Sequence, residues 1–344
     1  MIKEIREGCN AVHKSISENT RTIEKVVEFF KEENIDKGFI VGSGTSFHAS
    51  LVLSLLMSRF TGTSFIAVPA SEFENWTPLA DSDHAIIAIS QSGESSDVLR
   101  AVEEARKKGS FIIGITNTAG SSLTKLSDIS LITQAGKENA VTATKTYDAQ
   151  LAVVCYMAFA LSDKADVFLE KLKEVPDILY KVINKENEIH DTIIKYNKFN
   201  NIFILGGGVN YANALEAGLK FKEAAMIHAE GLAVREFLHG PIQLVNEETP
   251  VIIYLPTTES LARSKKTIEK LVNYNAKVIA IAGDSVDVGN FATDVIQFPN
   301  IVEELSIFPV IKTVQIMAYY ISVSRGLNPD NPSKLTKVVK YSTE

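Results

Sequence analysis

Short apolar runs rich in β-branched residues alternate along this chain with longer stretches of helical period. In the first half the runs are residues 39–41, 64–68, 85–90, 111–116 and 129–133; in the second they are 201–205, 251–255, 277–281 and 295–298. Strands separated by helical segments predict βαβ units and a mainly parallel sheet covered by helices, so the fold class is α/β, in the manner of flavodoxin-like three-layer sandwiches. Residues 163–200 are charged and helical in pattern, with little strand-forming sequence. At 344 residues the chain exceeds what one hydrophobic core usually supports, so that stretch is the expected joint. A boundary near residue 195 divides it into domains 1–195 and 196–344.

The halves are expected to be distant copies. VGSGTSFHASL at 41–51 aligns without gaps on LGGGVNYANAL at 205–215, keeping Gly42/Gly206, Gly44/Gly208 and Leu51/Leu215. The later strand pairs, beginning at 85 and 251 and at 111 and 278, hold nearly the same spacing. Such constancy predicts duplication of one fold.

Composition narrows the class of partner. The hydrophobic share is 45%, the charged share 22% and the formal net charge -7, with no dense run of Lys or Arg. The broad electrostatic footprint of a nucleic-acid binder is missing, and any anionic ligand must be caught locally. Cys9 and Cys155, the only cysteines, match no metal or redox spacing and predict no disulfide framework. Apolar runs such as 151–161 fall short of the ~20 residues that span a bilayer, and the charged, helical N-terminus has no signal-peptide pattern. A cytoplasmic protein with no membrane or nucleic-acid partner is expected.

Both halves run a strand into a glycine-rich turn and then a helix, where free N–H groups and a partial positive charge suit an anion. Dinucleotide binding would want G-x-G-x-x-G and an acid after the second strand. Phe47 and Tyr211 stand where the third glycine would be, and the second strand ends in Val68, Pro69 and Ala70. More telling is ISQSGESSDVL, residues 89–99. Ser90, Gln91, Ser92, Gly93 and Ser95 surround a strand-to-helix turn, a density of hydroxyls that can grip phosphate without Lys or Arg. A serine-rich helix cap would read the same way. A second hydroxyl-bearing turn, Gly44-Thr45-Ser46, falls at the same sheet edge, where ligands bind in parallel sheets. Where the first copy has SQSGES the second has PTTESL, so one phosphate site per chain is expected. The second half brings acid–base candidates: Glu216, Lys220 and Glu223 stack on one helix face, with His239 in a following turn. A solvated salt-bridged face is the ordinary outcome of that spacing, but Ala, Gly, Leu and Met surround these charges. No His, Cys or carboxylate spacing suggests a metal, and no cofactor is expected.

GSGTSFHA, SQSGES, VTATK, ALEAGLKFKEAAMIHAE, EFLHGP and PSKLTK occur in that order. Together they resemble the sugar isomerase (SIS) family, within it the two-SIS-domain isomerase half of glucosamine-6-phosphate synthase and its glutaminase-free relatives. The resemblance implies two tandem SIS domains and a phosphate held by Ser46, Ser90, Gln91, Ser92 and Ser95. Thr45 and the Val141 backbone would lie near the sugar. It further implies that Glu223 shuttles a proton between C1 and C2 with Lys220 beside it. His239 would open the ring, donated across a homodimer. Lys337 would meet the open-chain carbonyl, as a Schiff base in one form. A base that moves hydrogen between adjacent carbons is what aldose–ketose isomerisation needs, and a lysine acts on a carbonyl only when some of it is neutral.

Two departures shape the expected activity. No glutaminase segment headed by a cysteine precedes the first SIS motif, so glutamine-dependent activity is expected to be absent. The family's V-A-S-T-K reads Val141-Thr142-Ala143-Thr144-Lys145, which loses a serine contact to the sugar or moves it to Thr142. The expected reaction is conversion of glucosamine 6-phosphate to fructose 6-phosphate and ammonia. Fructosamine-6-phosphate deglycation, a glutamine–fructose-6-phosphate transaminase assignment by homology, and a non-catalytic sugar-phosphate sensor are the alternatives.

Overall fold

The computed structural model describes residues 1–337. Helices α1 (Ile2–Ser17) and α2 (Thr20–Glu32) lead into strands β1 (Lys37–Gly42), β2 (Ser64–Pro69), β3 (Ala85–Ser90), β4 (Phe111–Thr116) and β5 (Ile129–Ile132). Between these strands lie α3 (Thr45–Thr61), α4 (Ser96–Lys107) and α5 (Ser122–Leu126). Four helices follow: α6 (Lys145–Ala160), α7 (Ala165–Lys173), α8 (Val175–Ile183) and α9 (Glu186–Ile193). The second set of strands is β6 (Asn201–Gly206), β7 (His228–Ala233), β8 (Pro250–Leu255), β9 (Lys277–Gly283) and β10 (Asp294–Phe298), with α10 (Asn210–Ala225), α11 (Thr258–Asn273) and α12 (Ile307–Ser324).

Two compact units result, one holding residues 7–138, 143–176 and 336–337, the other 1–6, 139–142 and 177–335. Each contains a five-stranded, wholly parallel sheet, ordered β2-β1-β3-β4-β5 in one and β10-β9-β8-β6-β7 in the other. Read from the opposite edge, the second order is the first with five added to every strand. Paired strands begin 164, 164, 165, 166 and 165 residues apart, which bears out the duplication.

Sequence explains which strands are central. Every residue of β3 (AIIAIS) and of β8 (PVIIYL) is buried, as expected for strands covered on both faces. Burying one such Ile or Leu stabilises the fold by roughly 1.5–3 kcal/mol. β7 (HAEGLA) is the strand that apolar periodicity passes over. It is an edge strand paired only with β6, and a single residue of it is buried, so no apolar run marks it. Its Gly231 is required by packing: a Cβ there would stand 2.1 Å from the Ala214 carbonyl oxygen. That close approach seats α10 on the sheet.

One helix segment, Glu303–Ser324, is long and apolar enough to cross a membrane by length and composition, more so than the 151–161 run. Yet 83% of its apolar 18-residue window is buried inside the fold, which makes it a core helix of the second unit.

Candidate active site

The serine-rich turn follows β3 in the first unit. Gly93 sits at φ +66, and a Cβ on it would lie 2.2 Å from Ser121 Oγ, so glycine alone fits. The Gly93 N–H donates to Ser90 Oγ and the Glu94 N–H to Ser92 Oγ, both at 3.1 Å. Glu94 in turn accepts from the Ser122 N–H at 2.8 Å and from Ser122 Oγ at 2.9 Å, tying α5 to the turn. The Gln91 carbonyl accepts the Asn117 N–H at 3.0 Å and is thereby held in place. Ser95 occupies the N-cap position of α4 with extended backbone, but its side chain makes no capping hydrogen bond.

The corresponding helix of the second unit closes its own end. Thr257 Oγ1 accepts the Ser260 N–H at 3.2 Å and Ser260 Oγ accepts the Thr257 N–H at 3.0 Å, a complete capping box. The hydroxyls of PTTESL serve their own helix, whereas those of SQSGES do not.

Thr45 and Ser46 open α3 beyond Gly44, whose φ is +54. Thr45 is half-buried; Ser46 is buried and accepts a hydrogen bond from Gln150 Nε2 at 2.9 Å. Val141 and Thr142 fall in the second unit. The Val141 N–H donates to the Asp330 carbonyl at 2.9 Å. Thr142 is fully buried and its hydroxyl has no hydrogen-bond partner.

On α10 the ordinary outcome for charges at this spacing does not hold. Lys220 is fully buried and bridges Glu216 at 3.2 Å and Glu223 at 2.6 Å. Burial alone would push the Lys220 ammonium down; the two carboxylates outweigh it and hold it above the ordinary lysine value. Lys220 is therefore a fixed cation. Glu216 is sealed, with 1% of its side chain exposed, while Glu223 keeps 21%. Glu223 lines a cavity of about 650 Å³, shared with His228 and the segment from Gly326 to Leu335. His239 is exposed after a short 3-10 turn and is not among the residues lining it.

Lys337 pairs with Glu138 at 2.6 Å within the first unit. Glu138 was not a candidate from sequence, yet it organises its surroundings. It accepts from the Thr144 N–H at 2.8 Å, the Thr146 N–H at 3.2 Å and Thr146 Oγ1 at 2.7 Å. Burial pushes its carboxyl up, but Lys337 and these hydrogen bonds prevail and keep it below the usual glutamate value. The available sign was a lone carboxylate three residues before the V-T-A-T-K motif. Gln150, likewise unforeseen, lies five residues after that motif. Among the described residues no group of three or more His, Cys, Asp or Glu side chains is arranged to hold a metal.

A profile of the SIS domain matches residues 15–161 and again 195–324. The glutamine–fructose-6-phosphate aminotransferase (isomerizing) of Pyrococcus horikoshii is 35% identical over 344 residues, covering 98% of this chain and 57% of that protein. The chain therefore spans little more than half the length of that relative. Among solved structures, the C-terminal domain of glucosamine-fructose-6-phosphate aminotransferase from Francisella tularensis superposes with a TM-score of 0.87 at 24% identity, covering 96% of this chain and 97% of that one. Glucosamine-6-phosphate deaminase from Thermotoga maritima gives 0.73 at 24%, covering 97% and 99%. Two matched segments, each built on the same five-stranded order, identify this chain as a member of the SIS domain family.

Proposed function

We propose that this protein acts on a phosphorylated amino sugar, converting glucosamine 6-phosphate and water to fructose 6-phosphate and ammonia. The observation that carries this reading is the buried Glu216–Lys220–Glu223 row, in which only Glu223 faces a cavity. A sealed carboxylate and a buried lysine at its side form a rigid support for one accessible base, which is what a proton shuttle between C2 and C1 requires. The proton leaves C2 of the open-chain amino sugar and is returned to C1. The resulting C2 imine is hydrolysed by water, releasing ammonia. Lys220 supplies fixed positive charge beside the carboxylate.

The start of α4, which Ser95 does not cap, and its serine hydroxyls supply the phosphate grip. His239 takes the ring-opening role from its exposed turn, acting across a homodimer. Lys337 has to part from Glu138 before its nitrogen can attack a carbonyl. The names of the relatives, which act on glucosamine and fructose phosphates, agree with this substrate class. Deglycation of a fructosamine 6-phosphate would use the same base and phosphate grip with a larger leaving amine.

Purified protein incubated with glucosamine 6-phosphate is expected to release ammonia and fructose 6-phosphate in equal amounts. Binding of that sugar phosphate without either product would leave a sensor instead of an enzyme.

A further inference from the structure

Ser46 is held differently from its neighbours in the proposed phosphate grip. Ser90 and Ser92 receive backbone N–H groups, whereas Ser46 Oγ receives the side-chain amide of Gln150 at 2.9 Å. Both partners are buried, Ser46 at 7% exposure and Gln150 at 2%. A hydroxyl has one hydrogen and two lone pairs. With the amide N–H on a lone pair, the hydrogen of Ser46 is left to seek an acceptor, and a phosphoryl group offers only acceptors.

Gln150 is also an odd choice for its place. It lies in α6 between Ala149 and Leu151, both fully buried, in a helix whose first eleven residues are all buried. Its side-chain oxygen has no partner in the protein. Leaving a buried carbonyl unpaired costs about 1–3 kcal/mol, which a methionine of similar size would avoid. In the duplicate unit the residue aligned with Ser46 is Asn210, so the arrangement belongs to the copy that carries the serine turn.

We propose that Gln150 is a positioning residue for phosphate: by occupying the Ser46 oxygen it makes the Ser46 O–H an obligate donor to the phosphoryl group. This rests on the phosphosugar reading above. A double-mutant cycle with glucosamine 6-phosphate, followed by calorimetry and by steady-state kinetics, tests it. Gln150→Met is expected to weaken binding about 5- to 10-fold, raising KM with little change in kcat. In a Ser46→Ala background the same change is expected to have no further effect. Gln150→Glu, which can only accept from Ser46 and so reverses the hydroxyl, is expected to weaken binding more than tenfold. Thermal unfolding reports whether each variant is folded. Equal binding by Gln150→Met and the unchanged protein, or full additivity with Ser46→Ala, overturns the role of Gln150 while leaving the phosphosugar reading intact. Failure of the unchanged protein to bind glucosamine 6-phosphate removes both.

Discussion

Glu216 and Glu223 flank the same lysine, and what separates them is exposure. Glu216 is closed off behind Lys220, and Glu223 keeps a fifth of its side chain open beside a cavity. The two carboxylates should respond differently to the same change. Glu223→Gln is expected to lower turnover by about 100- to 10,000-fold while sparing sugar-phosphate affinity, because the amide keeps its shape but cannot take a proton. Glu216→Gln is expected to cost about 3 kcal/mol of stability, since it deprives a buried cation of one of two partners. Turnover assays, calorimetry and denaturant titration on both variants check this, and turnover surviving in Glu223→Gln would remove that residue as the base. Identity and spacing of these residues were legible in sequence. Their burial was not, because i, i+4 charges also suit a solvated face, and the choice depends on what packs over the helix.

At the level of elements, α4 and α11 begin differently. Thr257 closes α11 with its own hydroxyl, so Thr257→Ala is expected to cost about 1 kcal/mol of stability. Ser95 makes no such bond, so Ser95→Ala should leave stability within about 0.5 kcal/mol and weaken sugar-phosphate binding instead. Melting curves and binding isotherms on the pair decide it; a destabilised Ser95→Ala with unchanged affinity would make the turn an ordinary cap. Sequence pattern identified nine of the ten strands among the described residues, since central parallel strands are continuous apolar runs. It passed over β7, whose place is set by close packing of Gly231 against α10 and by pairing with β6.

Across the molecule, the net charge of -7 offers no general attraction for a phosphate, so any anion has to be caught by local donors. The chain also ties its last described residue to an interior carboxylate nearly 200 positions earlier, through Lys337 and Glu138. Because the folded Glu138 carboxyl titrates below its ordinary value of 4.5, this pair contributes stability above that pH and loses it as pH falls through the folded value. Lys337→Met should reverse the sign: burial then prevails, the carboxyl titrates higher, and stability declines as pH rises toward neutrality, by about 3 kcal/mol. Denaturant midpoints from pH 4 to pH 8 measure it, and parallel profiles for the two proteins would contradict the pairing. Sequence by itself determined the α/β class, the duplication, the serine turn and the α10 charges, because strand runs, glycine turns and helical spacing are local properties. Tertiary structure alone decided that Lys220 is sealed between two carboxylates, that the cap of α4 is left open and that Glu138 holds Lys337. Each of these depends on which surfaces remote segments bring together, and local pattern carries no record of that.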